Sequence, residues 1–245
     1  MKLLICQDYQ DLSEKAAALV SDLLKRKPNL VFCLPAGGTP IGMYGKLVEL
    51  YQQGKIDFSE MITFNMDEYV GLQPSHKNSF VYFLKHHFLN HININAVNVN
   101  FPNIAAVSLQ QECQRYQALI DEKGGLDLAI TGIGDNGHIA FNEPAAFLKA
   151  EMHLVELDEK TIKANSRFFE DDSNLVPKKA ISLGMRSIMQ SRTFMVMASG
   201  KHKAEALARF FKDDYIDPHF PLSFVKMHPN AIFLIDEDAA SLLPK

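Results

Sequence analysis

Residues 126–144 read "LDLAITGIGDNGHIAFNEP", and the fold class turns on how this run is parsed. It begins with a nearly unbroken apolar stretch, "LDLAITG", the pattern of a strand covered on both faces. Gly132, Gly134 and Gly137 then fit G-x-G-x-x-G. A dinucleotide-binding loop of that form needs a helix of about three turns after its third glycine, so that the helix N-terminus faces the pyrophosphate. Here "HIAFNEP" follows, and Pro144 stops any helix within about two turns. The same loop carries His138, Asn142 and Glu143, more polar chemistry than a phosphate cradle uses. The glycine pattern alone is a weak signal. The better reading is a sharp turn at a strand end that presents His138 and Glu143 to a pocket. Taken singly, the histidine has a plain alternative as a packed turn residue, and the glutamate as a helix-terminal charge.

Working outward, apolar runs alternate with amphipathic ones. "KLLIC", "NLVFCLP", "MITFNM", "MHLVEL", "KAISLG", "RTFMVMAS" and "NAIFLID" read as strands. "DLSEKAAALVSDLLKRK", "TPIGMYGKLVELYQQGK", "NSFVYFLKHHFLNH", "SLQQECQRYQALIDEKGG", "DEKTIKANSRFF" and "KHKAEALARFFK" read as helices, with Thr39 expected at an N-cap and Pro40 at the first helical position. Apolar strands alternating with such helices predict a parallel sheet covered on both faces. In such sheets ligands bind at the carboxyl ends of the strands.

The composition fits. The chain has 245 residues, which suits one large α/β domain, and 47% of them are hydrophobic, enough for a sizeable core. The net charge of −4 argues against a general nucleic-acid or anionic-membrane binder, since both need a basic face. The three cysteines are widely spaced and read as small buried hydrophobes. No run approaches a membrane span or a signal peptide, so a cytoplasmic location is expected. The nine histidines include no H-E-x-x-H, and no metal is expected. No G-x-S-x-G marks a serine nucleophile.

Two further loops follow strands. "FNMDEYVGL" places Asp67 and Glu68 at the lip of a sheet, where a partly desolvated carboxylate can act as a general base or, more plainly, cap a turn. "LPAGGTP" brings the backbone N–H groups of Gly37, Gly38 and Thr39 to a helix start, a plausible phosphate site or a simple tight turn. Arg167 and Lys203, each near a helix end, are candidate cationic partners for that phosphate.

In chain order, "LPAGGTP", "TFNMDEYVGL", "GHIAFNEP", "ANSRFF" and "SGKHKA" closely resemble the glucosamine-6-phosphate deaminase family over residues from about 30 to about 235. The resemblance implies a doubly wound, mostly parallel α/β fold (a Rossmann-like three-layer sandwich) formed as a single domain over 1–245, with a mobile lid at about 147–175. It implies conversion of D-glucosamine 6-phosphate and water to D-fructose 6-phosphate and ammonia without a cofactor, in amino-sugar catabolism. By motif, Asp67 matches the base that moves a proton between C2 and C1. His138 matches the ring-opening residue, and Glu143 its partner carboxylate. Gly38, Thr39, Arg167 and Lys203 match phosphate contacts, and Gly37 lies in the same loop.

Two departures from the family pattern stand out. Many members carry Asp two residues before the ring-opening histidine; this chain has Asn136 there and Asp135 one place earlier. Asn136 is expected to orient His138 while Glu143 supplies the charge. Hexameric members bind N-acetylglucosamine 6-phosphate after "FNEP" through Ser, Arg, Lys and Thr. The matching positions here are Ala146, His153, Val155 and Glu156, and the chain ends soon after "DEDAASLLPK". No activation by that ligand is expected, and a monomer is expected over a hexamer. The nearest alternative, 6-phosphogluconolactonase, reads "DER" for "DEY" and "SLFP" for "FNEP". A non-enzymatic sugar-phosphate sensor would normally carry a helix-turn-helix domain ahead of the first strand; with that strand expected from about residue 2, no such domain is expected here.

Overall fold

The computed structural model describes residues 1–134 and 136–243; Asp135 lies outside them. Ten strands and seven α-helices are described. The strands are β1 (Lys2–Cys6), β2 (Val31–Leu34), β3 (Ile62–Asn65), β4 (Asp67–Tyr69), β5 (Val99–Asn100), β6 (Leu128–Thr131), β7 (His153–Glu156), β8 (Lys179–Ser182), β9 (Thr193–Ala198) and β10 (Ala231–Asp236). The helices are α1 (Tyr9–Arg26), α2 (Ile41–Gln52), α3 (Phe80–His87), α4 (Leu109–Glu122), α5 (Glu159–Asn165), α6 (Met185–Met189) and α7 (Ala204–Lys212). Seven strands form one sheet in the order β1-β10-β9-β6-β2-β3-β5, and every pairing in it is parallel.

Because side chains alternate across a strand, each central strand supplies two cores. Phe194, Val196 and Ala198 of β9 face one core with residues of α4, α6 and α7, while Met195 and Met197 face the other with residues of α1 and α2. In β2, Val31 and Cys33 face the first core, and Phe32 and Leu34 the second. That is why these strands read as unbroken apolar runs. The expected three-layer architecture is observed.

Three expectations are corrected. The segments read as strands at β7 and β8 do not join the parallel sheet. They pair antiparallel with each other and with β4 in a separate three-stranded sheet. β4 itself, read as loop, is a strand because β8 supplies its partners: Asp67 faces Ser182 and Tyr69 faces Ala180. Thr39 does not cap α2, which starts at Ile41 after Pro40 with no side-chain cap. The phenol of Tyr9 accepts the hydrogen bond from the Gly42 N–H instead, at 2.9 Å, and donates to the Gly38 carbonyl at 3.2 Å.

Candidate active site

The strand order reverses between β2 and β6. From β2 the chain builds outward through β3 and β5; from β6 it builds the other way through β9 and β10. A crevice at the carboxyl ends of the strands is the consequence of that reversal. Here it is a cleft of about 690 Å³, bordered by the loops after β2, β3, β6 and β9. Asp67, His138, Gly37, Gly38, Thr39, Arg167 and Lys203 all line it. Asn136 and Glu143 stand behind His138, as the bonds below show.

The loop after β6 is not a nucleotide-binding loop: among the described residues, the next helix begins only at Glu159. Its glycines make room instead. A Cβ on Gly134 would run into the His138 ring, and one on Gly137, at φ 84°, into the Phe220 ring. The Asn136 carbonyl oxygen accepts from the His138 backbone N–H at 3.1 Å, and its amide donates to Glu143 Oε2 at 2.9 Å. Asn136 therefore contacts the histidine through its main chain rather than its ring. His138 Nδ1 lies 3.3 Å from Glu143 Oε2 and 3.3 Å from the Thr161 hydroxyl. With Nδ1 engaged, Nε2 is the ring nitrogen left for a ligand. Burial pushes the Glu143 carboxyl up. The His138, Thr161 and Asn136 hydrogen bonds and the His138 charge outweigh it and hold the group at about 2.

Asp67 has the opposite environment. Burial and then the neighbouring Glu68 charge push its carboxyl up to about 8. Glu68 is itself buried, its carboxylate accepting N–H bonds from Tyr69, Phe80 and Val81 at 2.8, 3.1 and 3.0 Å. It ties β4 to the start of α3. The other end of β4 is tied to the histidine loop: Ser182, opposite Asp67, accepts from the Phe141 N–H at 3.1 Å. Asn142 donates to the Leu183 carbonyl at 2.8 Å. Base candidate and histidine thus share β8 as a common support.

The cationic end of the cleft is built from three pieces. Gly37, at φ 118°, turns the loop after β2 toward the cleft. Lys203, buried, follows β9, and its loop is pinned by Asp236, which accepts from Ser199 Oγ at 2.5 Å and Gly200 N–H at 3.0 Å. Arg167, in the turn after α5, is exposed. Sequence reading passed over Tyr9, Glu68's backbone bonds, Thr161, Asn165 and Asp236. Of these only Asp236, a polar residue ending an apolar strand, left a sequence signal.

An open parallel sheet with a cation-bearing cleft at its switch point and two carboxylates of opposed acidity is the arrangement of an α/β enzyme, and it suits an anionic small molecule. The chain matches the family of glucosamine-6-phosphate isomerases and 6-phosphogluconolactonases over residues 7–234, and it belongs to that family. A glucosamine-6-phosphate deaminase from Thermoanaerobacter pseudethanolicus is 48% identical over 244 residues, covering 100% of this chain and 96% of that protein. A solved monomeric glucosamine-6-phosphate deaminase is 40% identical, with a TM-score of 0.95 over 99% of this chain and 100% of that one. The 6-phosphogluconolactonase of Trypanosoma brucei, at 18% identity and a TM-score of 0.78 over 99% of this chain and 98% of that one, shares the fold. The chain is an enzyme of the glucosamine-6-phosphate deaminase type. Among the described residues, no helix is long and apolar enough to cross a membrane.

Proposed function

We propose that the chain converts D-glucosamine 6-phosphate and water to D-fructose 6-phosphate and ammonia, as a cytoplasmic, cofactor-independent step of amino-sugar catabolism. The observation that carries this reading is one cleft holding a carboxylate raised to about 8 together with a histidine paired to a carboxylate held at about 2. Separate proton carriers are what an opening-then-isomerising reaction needs. The ring form of the sugar has no free carbonyl. His138, through Nε2, takes the proton from the O1 hydroxyl and delivers one to O5, and the ring opens to the aldehyde. Glu143 steadies the imidazolium that forms. Asp67 then removes the C2 proton, now α to the C1 carbonyl, and returns it to C1 of the enolamine. Water adds to the resulting C2 imine, and ammonia leaves. Gly37, Gly38, Thr39, Lys203 and Arg167 bind the 6-phosphate, far from the reacting carbons, and supply binding energy for orientation.

We read residues 1–245 as a single domain in which the segment at about 147–175 closes as a lid, bringing Arg167 to the phosphate. N-acetylglucosamine 6-phosphate is not an activator in this reading. Burial lowers the pKa of His153 and so disfavours its charged form, and Glu156 pairs with Lys179 at 3.4 Å. Neither suits a phosphate. A monomer accords with the monomeric relative. The lactonase alternative has no use for a C2 base. The test is release of ammonia and fructose 6-phosphate from glucosamine 6-phosphate, with 6-phosphogluconolactone as the competing substrate. One-to-one release is expected. Hydrolysis of the lactone alone would overturn the assignment.

A further inference from the structure

α5 reaches the acid–base groups and also borders the cleft, through Ala164 and Asn165. Thr161 is 2% exposed and does not border the cavity, yet its hydroxyl is 3.3 Å from His138 Nδ1. Asn165 lies one turn further on the same helix face, and its amide donates to the Tyr69 hydroxyl at 2.8 Å. Tyr69 is two residues from Asp67. Arg167 follows Asn165 by two residues and lines the cleft. One short helix therefore touches the histidine, the strand of the base candidate and the cationic end together. Docking of α5 is what supplies the third group at the His138–Glu143 pair.

We infer that Thr161 is a positioning residue, whose hydroxyl fixes the His138 ring for proton transfer only when α5 is seated, so that closure over the anion and readiness of the histidine are one event. This rests on the proposed role of His138. The geometry fits a three-centre arrangement in which Nδ1–H is shared between Glu143 Oε2 and the Thr161 oxygen. The hydroxyl also helps hold the Glu143 carboxyl down. Since Thr161 does not touch the cleft, its loss should act on turnover and not on substrate binding.

The test compares Thr161→Val, which keeps the shape, with Thr161→Ser, which keeps the hydroxyl, each alone and combined with His138→Gln. Loss of one bond to an ionisable pair predicts kcat roughly tenfold lower for Thr161→Val, with KM within about twofold. Thr161→Ser should lie within about threefold of wild type. In the His138→Gln background Thr161→Val should cost nothing further, because residues that act as a unit are not additive. Unchanged turnover in Thr161→Val, a Thr161→Ser equally impaired, or the same loss without His138 would each overturn the inference. The His138 Nδ1 proton, assigned by nitrogen-15 NMR against His138→Gln, gives a readout free of turnover. It should be protected from solvent exchange in wild type and Thr161→Ser and lost in Thr161→Val; equal protection in all three contradicts the inference. If wild type releases no ammonia from glucosamine 6-phosphate, the functional reading fails, and the NMR comparison still decides the contact.

Discussion

Two carboxylates at the same cleft have been driven in opposite directions. Burial acts on both and pushes both upward. At β4 nothing opposes it: the strongest neighbour of Asp67 is another carboxylate, Glu68, and the group is raised to about 8. At the turn after β6, Asn136, His138 and Thr161 converge on Glu143 and bring it to about 2. The difference teaches that depth alone does not set acidity; the donors around a carboxylate do. It also divides the labour, leaving one group to take up a proton and the other to remain an anion.

The comparison breaks most severely at Asp67. Asp67→Asn removes the proton acceptor and should lower kcat by about a thousandfold or more. The same change should raise stability at alkaline pH. A carboxyl whose folded pKa lies above its unfolded value contributes stability below about pH 4 and loses it as pH rises through about 8. Thermal unfolding at pH 8–9 should therefore show the variant melting a few degrees above wild type, with the gap closing near pH 4.

Glu143→Gln should cost about a hundredfold in kcat, and its stability effect runs the other way. Glu143 stabilises the fold above its unfolded pKa, and that contribution fades as pH falls through about 2. The variant should melt below wild type at pH 7 and approach it in acid. Asn136→Asp is the smallest change. It replaces an amide that donates to Glu143 with a second carboxylate, which should raise the Glu143 carboxyl and lower turnover by roughly three- to tenfold. A pH–rate profile identical to wild type would show that this position does not tune the pair.

Much of this was legible in the sequence, and the reasons are local. β9 and β2 announce a parallel sheet because both faces of each strand are buried, and Pro144 rules out a dinucleotide helix by itself. Gly134 and Gly137 mark a crowded turn, although the rings that crowd it, His138 and Phe220, are fixed by tertiary contact. β4 was invisible because "DEY" has no strand period of its own and owes its conformation to β8, far along the chain. For the same reason β7 and β8 could be recognised as strands but not assigned to their sheet. Thr161 and Tyr9 act through single hydroxyls on distant residues, and no spacing records that.

The central claim is that burial beside Glu68 makes Asp67 a base near neutrality. The most direct test is the pH dependence of kcat/KM on glucosamine 6-phosphate for wild type and Glu68→Gln. Wild type should rise through a midpoint near pH 8, and removing the Glu68 charge should shift that limb to lower pH, while titrations of the substrate stay the same in both enzymes. A limb in the ordinary carboxylate range, or one that Glu68→Gln leaves in place, would contradict it.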